Sequence, residues 1–295
     1  MATAHLSAQQ HRAVAAIVNR STRADGVAPL NESGILATEP DIGHPRLHEL
    51  VLDTSTLVGY AQLDPRDNSV QLVVDPQHRR RGHGLALAQA VQPLGPRSWW
   101  AFGNTPGAQA LAAKLGLREV RTLLIMERDL GRPEPEPVPA GFTIGSWAAD
   151  PAPREQIIAD LVAVNAAAFA HHPEQGSMSV ADVAAKLTQP WSDPAGLLLA
   201  RDDQGRLAGF HWTKITADPN HPEGPPLGEV YIIGVRPDAN GHGLGRALLS
   251  AGLDLMRERG VQRVHLYVDS DQERVVRMYD SASFGVINRD VSYAR

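Results

Sequence analysis

Val230-Tyr231-Ile232-Ile233-Gly234-Val235-Arg236-Pro237 runs on into Asn240-Gly241-His242-Gly243-Leu244-Gly245 and then into a stretch rich in Ala and Leu. The apolar run reads as a strand and the following stretch as a helix, with a glycine turn between them. Strand, glycine turn and helix N-terminus together collect free backbone N–H groups of the kind that hold phosphate. The chain carries this arrangement twice. Val70 to Val74 is a second apolar run, and Val74-Asp75-Pro76 leads into Arg79-Arg80-Arg81-Gly82-His83-Gly84. Copies about 160 residues apart mean two whole domains rather than a solenoid. Two sites for a phosphorylated ligand are therefore expected.

The length of 295 residues agrees with two domains. A hydrophobic share of 43% with 21% charged residues is that of a globular chain with enough apolar material for real cores. The formal charge of −5 argues against nucleic acid as a partner. Without cysteine, disulfides and thiolate metal sites are excluded, which fits a reducing cytoplasm. No run approaches the ~20 apolar residues of a membrane helix, and the start lacks the pattern of a signal peptide. A cytoplasmic protein with small-molecule ligands, acting as a monomer, is expected.

Gly131-Arg132-Pro133-Glu134-Pro135-Glu136-Pro137-Val138-Pro139 reads as a stiff, extended linker, because alternating prolines can join neither a helix nor a central strand. It divides the chain into an N-terminal domain (1–130) and a C-terminal domain (140–295). The first reads as a helix near 7–20, strands near 48–52, 57–63 and up to 74, and a helix from 82. A strand at 98–102, a helix at 108–115 and a strand at 120–127 follow. The second repeats the order: a helix near 154–169, strands near 197–200, 207–213 and up to 235, and a helix at 243–259. A strand at 264–268, a helix at 273–282 and a strand at 286–293 complete it, with one extra helix at 180–187. Mixed strands and helices around a central phosphate loop place the fold in the α/β (α+β) class, each domain a mixed central sheet flanked by helices.

The loops are neither a Walker A sequence, lacking Gly-Lys-Ser/Thr, nor a dinucleotide fingerprint, lacking the third glycine spacing. Arg79, Gly82 and Gly84 do resemble the acetyl-CoA pyrophosphate loop of the GNAT superfamily of N-acetyltransferases, Arg/Gln-x-x-Gly-x-Gly/Ala. Gly243 and Gly245 match it in the second copy, with Asn240 where Arg or Gln is usual. The superfamily's later motif, Asn-x-x-Ala-x-x-x-Tyr-x-x-x-Gly-Phe, is similar to Gln272, Val275, Tyr279, Ser283 and Phe284. Tandem GNAT-like domains and acetyl-CoA as cosubstrate, with no metal, follow from the resemblance. It implies cofactor contacts from Leu72, Val73, Val74, Arg79, Arg80, Arg81, Gly82, His83, Gly84 and Leu85 in the first copy. In the second it implies Ile233, Gly234, Val235, Asn240, Gly241, His242, Gly243, Leu244, Gly245 and Arg246, then Gln272, Glu273, Arg274, Val275, Val276 and Arg277.

Segments outside the loops resemble one family more narrowly. Asp25-Gly26-Val27-Ala28-Pro29, Ala168-Phe169-Ala170-His171-His172-Pro173-Glu174-Gln175-Gly176, Gly209-Phe210-His211-Trp212-Thr213-Lys214 and Gly228-Glu229-Val230-Tyr231 are similar to mycothiol synthases. That resemblance covers nearly the whole chain. It implies acetylation of the cysteinyl amine of desacetyl-mycothiol, with Glu229 and Tyr279 catalytic. Glu32, Glu174, Lys214, Glu229 and Tyr267 would bind the acceptor, Glu32 from the first domain. Another small amine as acceptor, or an acetyl-CoA sensor without catalysis, are the competing functions. His171 and His172 have no third metal ligand at a recognisable spacing.

Comparing the copies gives an internal control. Aligning Val74 with Val235 puts Asn68 opposite Glu229. Aligning Leu117 with Phe284 puts Ala112 opposite Tyr279 and Trp100 opposite Tyr267. The first copy keeps the phosphate loop and lacks the carboxylate and the phenol, so it should bind CoA without turnover. The chemistry itself asks for little. An α-amine with a pKa near 8 is already partly neutral at pH 7, and direct abstraction by an ordinary glutamate is uphill by roughly 5 kcal/mol. Glu229 is therefore expected to orient the ammonium and to receive its proton through water or with a raised pKa. Tyr279 would protonate the departing thiolate, and backbone N–H groups from Ile233 to Val235 would meet the oxyanion.

Overall fold

The computed structural model describes the chain apart from residues 1–2, 40–45, 133–134, 171–172 and 219–222 and the side chains of 173–174. It forms two compact units. Unit 1 holds residues 1–124, 269–272 and 288–295, and unit 2 holds 125–268 and 273–287.

The chain begins with α1 (Ala8–Asp25), α2 (Glu32–Leu36), β1 (Leu47–Asp53), β2 (Thr56–Asp64) and β3 (Ser69–Val74). Next come α3 (His83–Val91), β4 (Ser98–Ala101), α4 (Pro106–Lys114) and β5 (Arg118–Asp129). β6 (Phe142–Ser146), α5 (Arg154–Ala168), α6 (Pro173–Gly176), α7 (Val180–Leu187), β7 (Leu197–Asp202) and β8 (Leu207–Thr216) follow. The order ends with β9 (Leu227–Val235), α8 (Leu244–Glu258), β10 (Arg263–Asp269), α9 (Glu273–Ser281) and β11 (Gly285–Ala294). α1 shows how local sequence sets these limits. Ser7 and Gln10 form a capping box, Gly26 closes the helix at φ +73°, and Val14, Ile17, Val18 and Ser21 bury one helical stripe.

In unit 1 the strands run in the order β1-β2-β3-β4-β11, antiparallel except for the parallel pair β3/β4. Unit 2 has β6-β7-β8-β9-β10, antiparallel except for the parallel pair β9/β10, with residues 125–129 of β5 beside β10. The core of unit 2 on one face gathers Ile157, Leu161 and Val164 of α5 against Phe210 and Trp212 of β8. On the opposite face α8 packs Leu244 and Leu248 against Ile233 and Val235.

The division of the chain differs from a cut at residues 131–139. The last strand leaves unit 2, because Val291, Ser292 and Tyr293 pair with Ala101, Trp100 and Trp99. The break before it falls after Leu124, inside β5. Strand pairing is non-local, so neither limit is marked by a linker composition. The described part of the proline-rich stretch lies along unit 2: Arg257 donates to the Gly131 carbonyl at 2.9 Å, and the Glu136 N–H donates to Ser250 Oγ at 3.1 Å.

Candidate active site

The two glycine loops have one backbone. Gly241 and Gly243 take φ values of +88° and +85°, and their counterparts Arg80 and Gly82 take +64° and +89°. Gly243 and Gly82 are N-caps in the left-handed region, which glycine enters at no steric cost, and neither helix α8 nor α3 has a side-chain cap. The N–H groups of their first turns are therefore free for an anion. The second glycines occupy matched surroundings. A Cβ on Gly84 would lie 3.6 Å from Val74 and 3.7 Å from Leu111, and one on Gly245 3.7 Å from Met278 and 3.8 Å from Val235.

Each loop follows a fork in the sheet. The β9/β10 ladder pairs Leu227, Gly228 and Glu229 with Arg263, Val264 and His265 and stops there, although the strands continue to Val235 and Asp269. The β3/β4 ladder stops after Val70↔Trp99 in the same way. Past each fork, the edge of the strand facing its parallel neighbour is without ladder partners among the described residues, and amide groups of a ligand can pair there. In unit 1 the fork opens into a cavity of about 670 Å³ lined by Leu72, Val74, Gly82, Trp100, Phe102 and Leu111 among others.

Glu229 stands at the fork of unit 2 between two bases of neighbouring strands. Its Oε2 lies 3.6 Å from Lys214 Nζ on β8 and 3.6 Å from His265 Nε2 on β10, and both residues are its register partners. The Lys214 ammonium also sits 5.3 Å from the ring centres of Trp191 and Tyr231. Trp191, Trp212 and Tyr231 form a cluster of edge-on and tilted rings, and Lys186 Nζ donates to Tyr231 Oη at 2.6 Å. Tyr231 reaches this face because β9 bulges there: Trp212 pairs with Ile232 and Thr213 with Val230, leaving Tyr231 as the extra residue.

The bulge corrects the comparison between the copies. β2 and β3 pair without interruption from Gly59↔Val74 to Asp64↔Ser69. Counting strand partners outward from the loop, Lys214–Glu229–His265 in unit 2 corresponds to Asp64–Ser69–Ser98 in unit 1. Ser69, not Asn68, is opposite Glu229, because one extra residue in β9 shifts an ungapped alignment by one. The face is also filled in unit 1. Asp64 pairs with Arg46 at 3.0 Å and Arg66 at 2.7 Å, and the Asn31 N–H donates to Gln71 at 3.1 Å. Gly34 of α2 lies so close to Gln62 and Gln71 that a Cβ there would collide with both side chains.

The other expected site residues divide. Tyr279 lies in α9 where expected, is 4% exposed, and packs edge-on against Phe284 at 5.7 Å. Burial pushes its phenol above the ordinary value. The helix-end turn matches that of α4: Phe284 N–H donates to the Tyr279 carbonyl at 3.0 Å, and Leu117 N–H to that of Ala112 at 3.0 Å. Ser283, at φ +65°, takes the place of Gly116, at +68°. Val275 and Val276 are half-buried, while Glu273, Arg274 and Arg277 face solvent, Glu273 and Arg277 paired at 3.0 Å. Gln272 is exposed and belongs with 269–272 in unit 1, where Arg121 holds Asp269 at 2.6 Å. Tyr267 is 49% exposed, its ring edge-on to His265 at 5.5 Å. Glu32 opens α2 in unit 1 and is exposed. Glu174 lies in α6, and its side chain is outside the described residues, as are His171 and His172.

The Arg79 guanidinium is engaged by side chains of α1. It grips Asp25 at 2.6 and 2.7 Å and donates to Ser21 at 2.8 Å and to the Val74 carbonyl at 3.2 Å. The Arg79 hydrogen bonds hold the Asp25 carboxyl below the usual carboxylate range, and the pair raises Arg79 in turn. Arg80 and Arg81 are exposed beside it. His265, Trp191 and Lys186 were not among the expected site residues. The signal for His265 lay in its alternation with Tyr267 on one strand face, which becomes legible only with the β9/β10 register.

Residues 165–285 match the family model described as Acetyltransferase (GNAT) family. The chain is 46% identical over 291 residues to the mycothiol acetyltransferase of Propionibacterium freudenreichii subsp. shermanii, covering 98% of this chain and 90% of that one. A GCN5-related N-acetyltransferase from Sphaerobacter thermophilus superposes with a TM-score of 0.73 at 25% identity, over 100% of this chain and 95% of the other. A tandem GNAT protein from the clavulanic acid biosynthesis pathway superposes at 0.71 and 19% identity, over 100% and 97% of the two chains, and so shares the fold.

Proposed function

The chain belongs to the mycothiol acetyltransferase family, and on that premise we propose that its chemistry takes place at the β9/β10 fork of unit 2, while unit 1 keeps a CoA loop without catalysing. The chain is an acetyl-CoA-dependent N-acetyltransferase, and its reaction forms mycothiol and CoA by acetylating the cysteinyl amine of desacetyl-mycothiol. The observation that carries the division of labour is the contrast between Lys214–Glu229–His265 and Asp64–Ser69–Ser98 at matched register positions.

The residues present fit the cosubstrate. The uncapped N-terminus of α8 offers N–H groups to a pyrophosphate, and the open edge of β9 from Ile232 to Val235 offers alternating donors and acceptors to an amide-bearing arm. Acetyl-CoA supplies the activated acetyl carbon. Everything else is done by the chain. Glu229 holds the incoming ammonium, in competition with Lys214, which keeps the carboxylate oriented. An N–H near Ile233 meets the charge that develops on the carbonyl oxygen. The Tyr279 phenol donates a hydrogen bond to the departing sulfur. Lys214, Tyr267 and Glu174 contribute to the acceptor site, Tyr267 through its exposed ring.

The test is a panel of acceptors. The purified chain is incubated with acetyl-CoA and desacetyl-mycothiol, glucosaminyl-inositol or free cysteine, and products are followed by mass. Acetylation confined to the complete acceptor is expected. CoA release with another amine only, or binding of acetyl-CoA without turnover of any acceptor, would overturn the assignment.

A further inference from the structure

A carboxylate at a fork can hold an ammonium, but a proton taken from it must still leave. The groups that flank Glu229 on the two neighbouring strands differ in what they can do with a proton. Lys214, on the β8 side, is buried at 9% exposure, has its ammonium over two aromatic rings, and brings a positive charge of its own. On the β10 side stands an imidazole, able to accept a proton on one nitrogen and release one from the other. Its Nε2 faces Glu229 Oε2 at 3.6 Å, too long for a hydrogen bond and short enough for a small side-chain movement or one water to close. Beyond it along the same strand face lies the half-exposed Tyr267. From these positions we propose that His265 is a positioning residue that relays the acceptor's proton: Glu229 holds the ammonium, and His265 takes up the proton and passes it out past Tyr267. The inference rests on the reading of Glu229 as the partner of the amine.

The transfer balances without another reactant. One ammonium N–H bond breaks and its electron pair stays on nitrogen for attack on the acetyl carbon; the attack forms the C–N bond and breaks the C–S bond, and the second N–H proton goes to the departing thiolate. The proton crosses the Glu229 carboxylate to Nε2, and a proton leaves Nδ1 for solvent. Among the described residues, the charged or titratable groups around the imidazole are Glu229 from β9, Lys214 behind it from β8, Tyr267 from its own strand, and Glu127 from β5, which the pairing of Leu130 with Gln262 and of Thr122 with Ser270 sets opposite His265. Arg263, two residues before it, is engaged by Glu127 at 3.2 Å and by Asp218. The repeat supports the assignment, since Ser98, the register counterpart of His265 in unit 1, cannot accept a proton near neutral pH.

The experiment compares His265→Gln with the unchanged chain in the acetylation of desacetyl-mycothiol from pH 6 to 9. At pH 7 kcat should fall about 100-fold with KM for the acceptor little changed. The deficit should shrink to below about 10-fold at pH 9, where the α-amine is largely neutral without help. A deficit constant across pH would overturn the relay and leave a structural role. A second readout needs no turnover: the His265 ring signals, identified by their loss in His265→Gln, are recorded by NMR at pH 7. Glu229→Gln should displace them, because the carboxylate lies 3.6 Å from Nε2. Unmoved ring signals would overturn the proposal. Full activity in Glu229→Gln would instead sink the role of Glu229, an outcome distinct from a failure of His265 alone.

Discussion

Replacing Tyr279 by Phe removes one hydroxyl and leaves the ring, with its edge-on contact to Phe284, in place. The size of the effect separates two roles. A phenol at its ordinary value near 10 would give its proton to a thiolate, whose acid lies near 8.5, uphill by about 2 kcal/mol. Burial raises the Tyr279 phenol further, so complete transfer is less favourable still. What survives is a hydrogen bond to a charged sulfur, worth about 1.5–3 kcal/mol. At 1.36 kcal/mol per factor of ten, kcat should fall between about 10- and 100-fold. No cavity is created, so stability at pH 7.5 should change by less than about 1 kcal/mol. The pH dependence has a definite sign. The folded phenol titrates above the unfolded one, so its contribution is intact below pH 10 and is lost above it, at about 1.4 kcal/mol per pH unit, as only the unfolded state ionises. Tyr279→Phe should lose that slope. Single-turnover CoA release, with chemical denaturation from pH 8 to 11, measures both. An unchanged kcat would remove Tyr279 from the mechanism. A fall beyond about 1000-fold at unchanged stability would show that the phenol does more than donate a hydrogen bond.

Three further outcomes concern the scaffold. Ser283→Gly should raise stability by about 1 kcal/mol in denaturant titration, because φ +65° strains any residue with a Cβ; a loss would mean that the serine hydroxyl matters more than its backbone. Asp290, buried against the Gly103 N–H at 2.8 Å, has its carboxyl raised by burial to about 6, above its ordinary 3.8. Its contribution is therefore fully present below about pH 4 and lost as pH rises through about 6, so Asp290→Asn should stabilise the chain by as much as about 3 kcal/mol at pH 8 and hardly at pH 4, measured by melting across pH. Gly34→Ala should destabilise unit 1 by about 1–3 kcal/mol, read as earlier unfolding of that unit by hydrogen exchange, because the new Cβ would displace Gln62 and Gln71.

The loops, the tandem order and the helix at Val180–Leu187 were legible in the sequence, because glycine spacing, apolar period and capping are local properties. The places of Tyr279 in the last helix and of Glu229 in the strand before the second loop were legible in the sequence. What escaped depends on strands far apart in the chain meeting one another. The last strand enters unit 1 through Val291, Ser292 and Tyr293, and no composition marks that. The bulge at Tyr231 adds one residue to β9, which shifts the copy-to-copy alignment from Ser69 to Asn68. Arg79 matched the loop motif, yet Asp25, 54 positions earlier, claims its guanidinium. His265 is joined to Glu229 only by a parallel register of three pairs, which the sequence of neither strand announces. The close approach of α2 to Gln62 and Gln71 in unit 1 likewise depends on packing between distant segments.

The most direct test of chemistry confined to unit 2 is a matched pair of substitutions at the two forks, Glu229→Gln and Ser69→Ala, assayed for acetylation of desacetyl-mycothiol at saturating acetyl-CoA. Turnover should fall by about 100-fold or more in the first and stay within about twofold of the unchanged chain in the second. Equal losses in both, or full turnover in Glu229→Gln, would contradict the account.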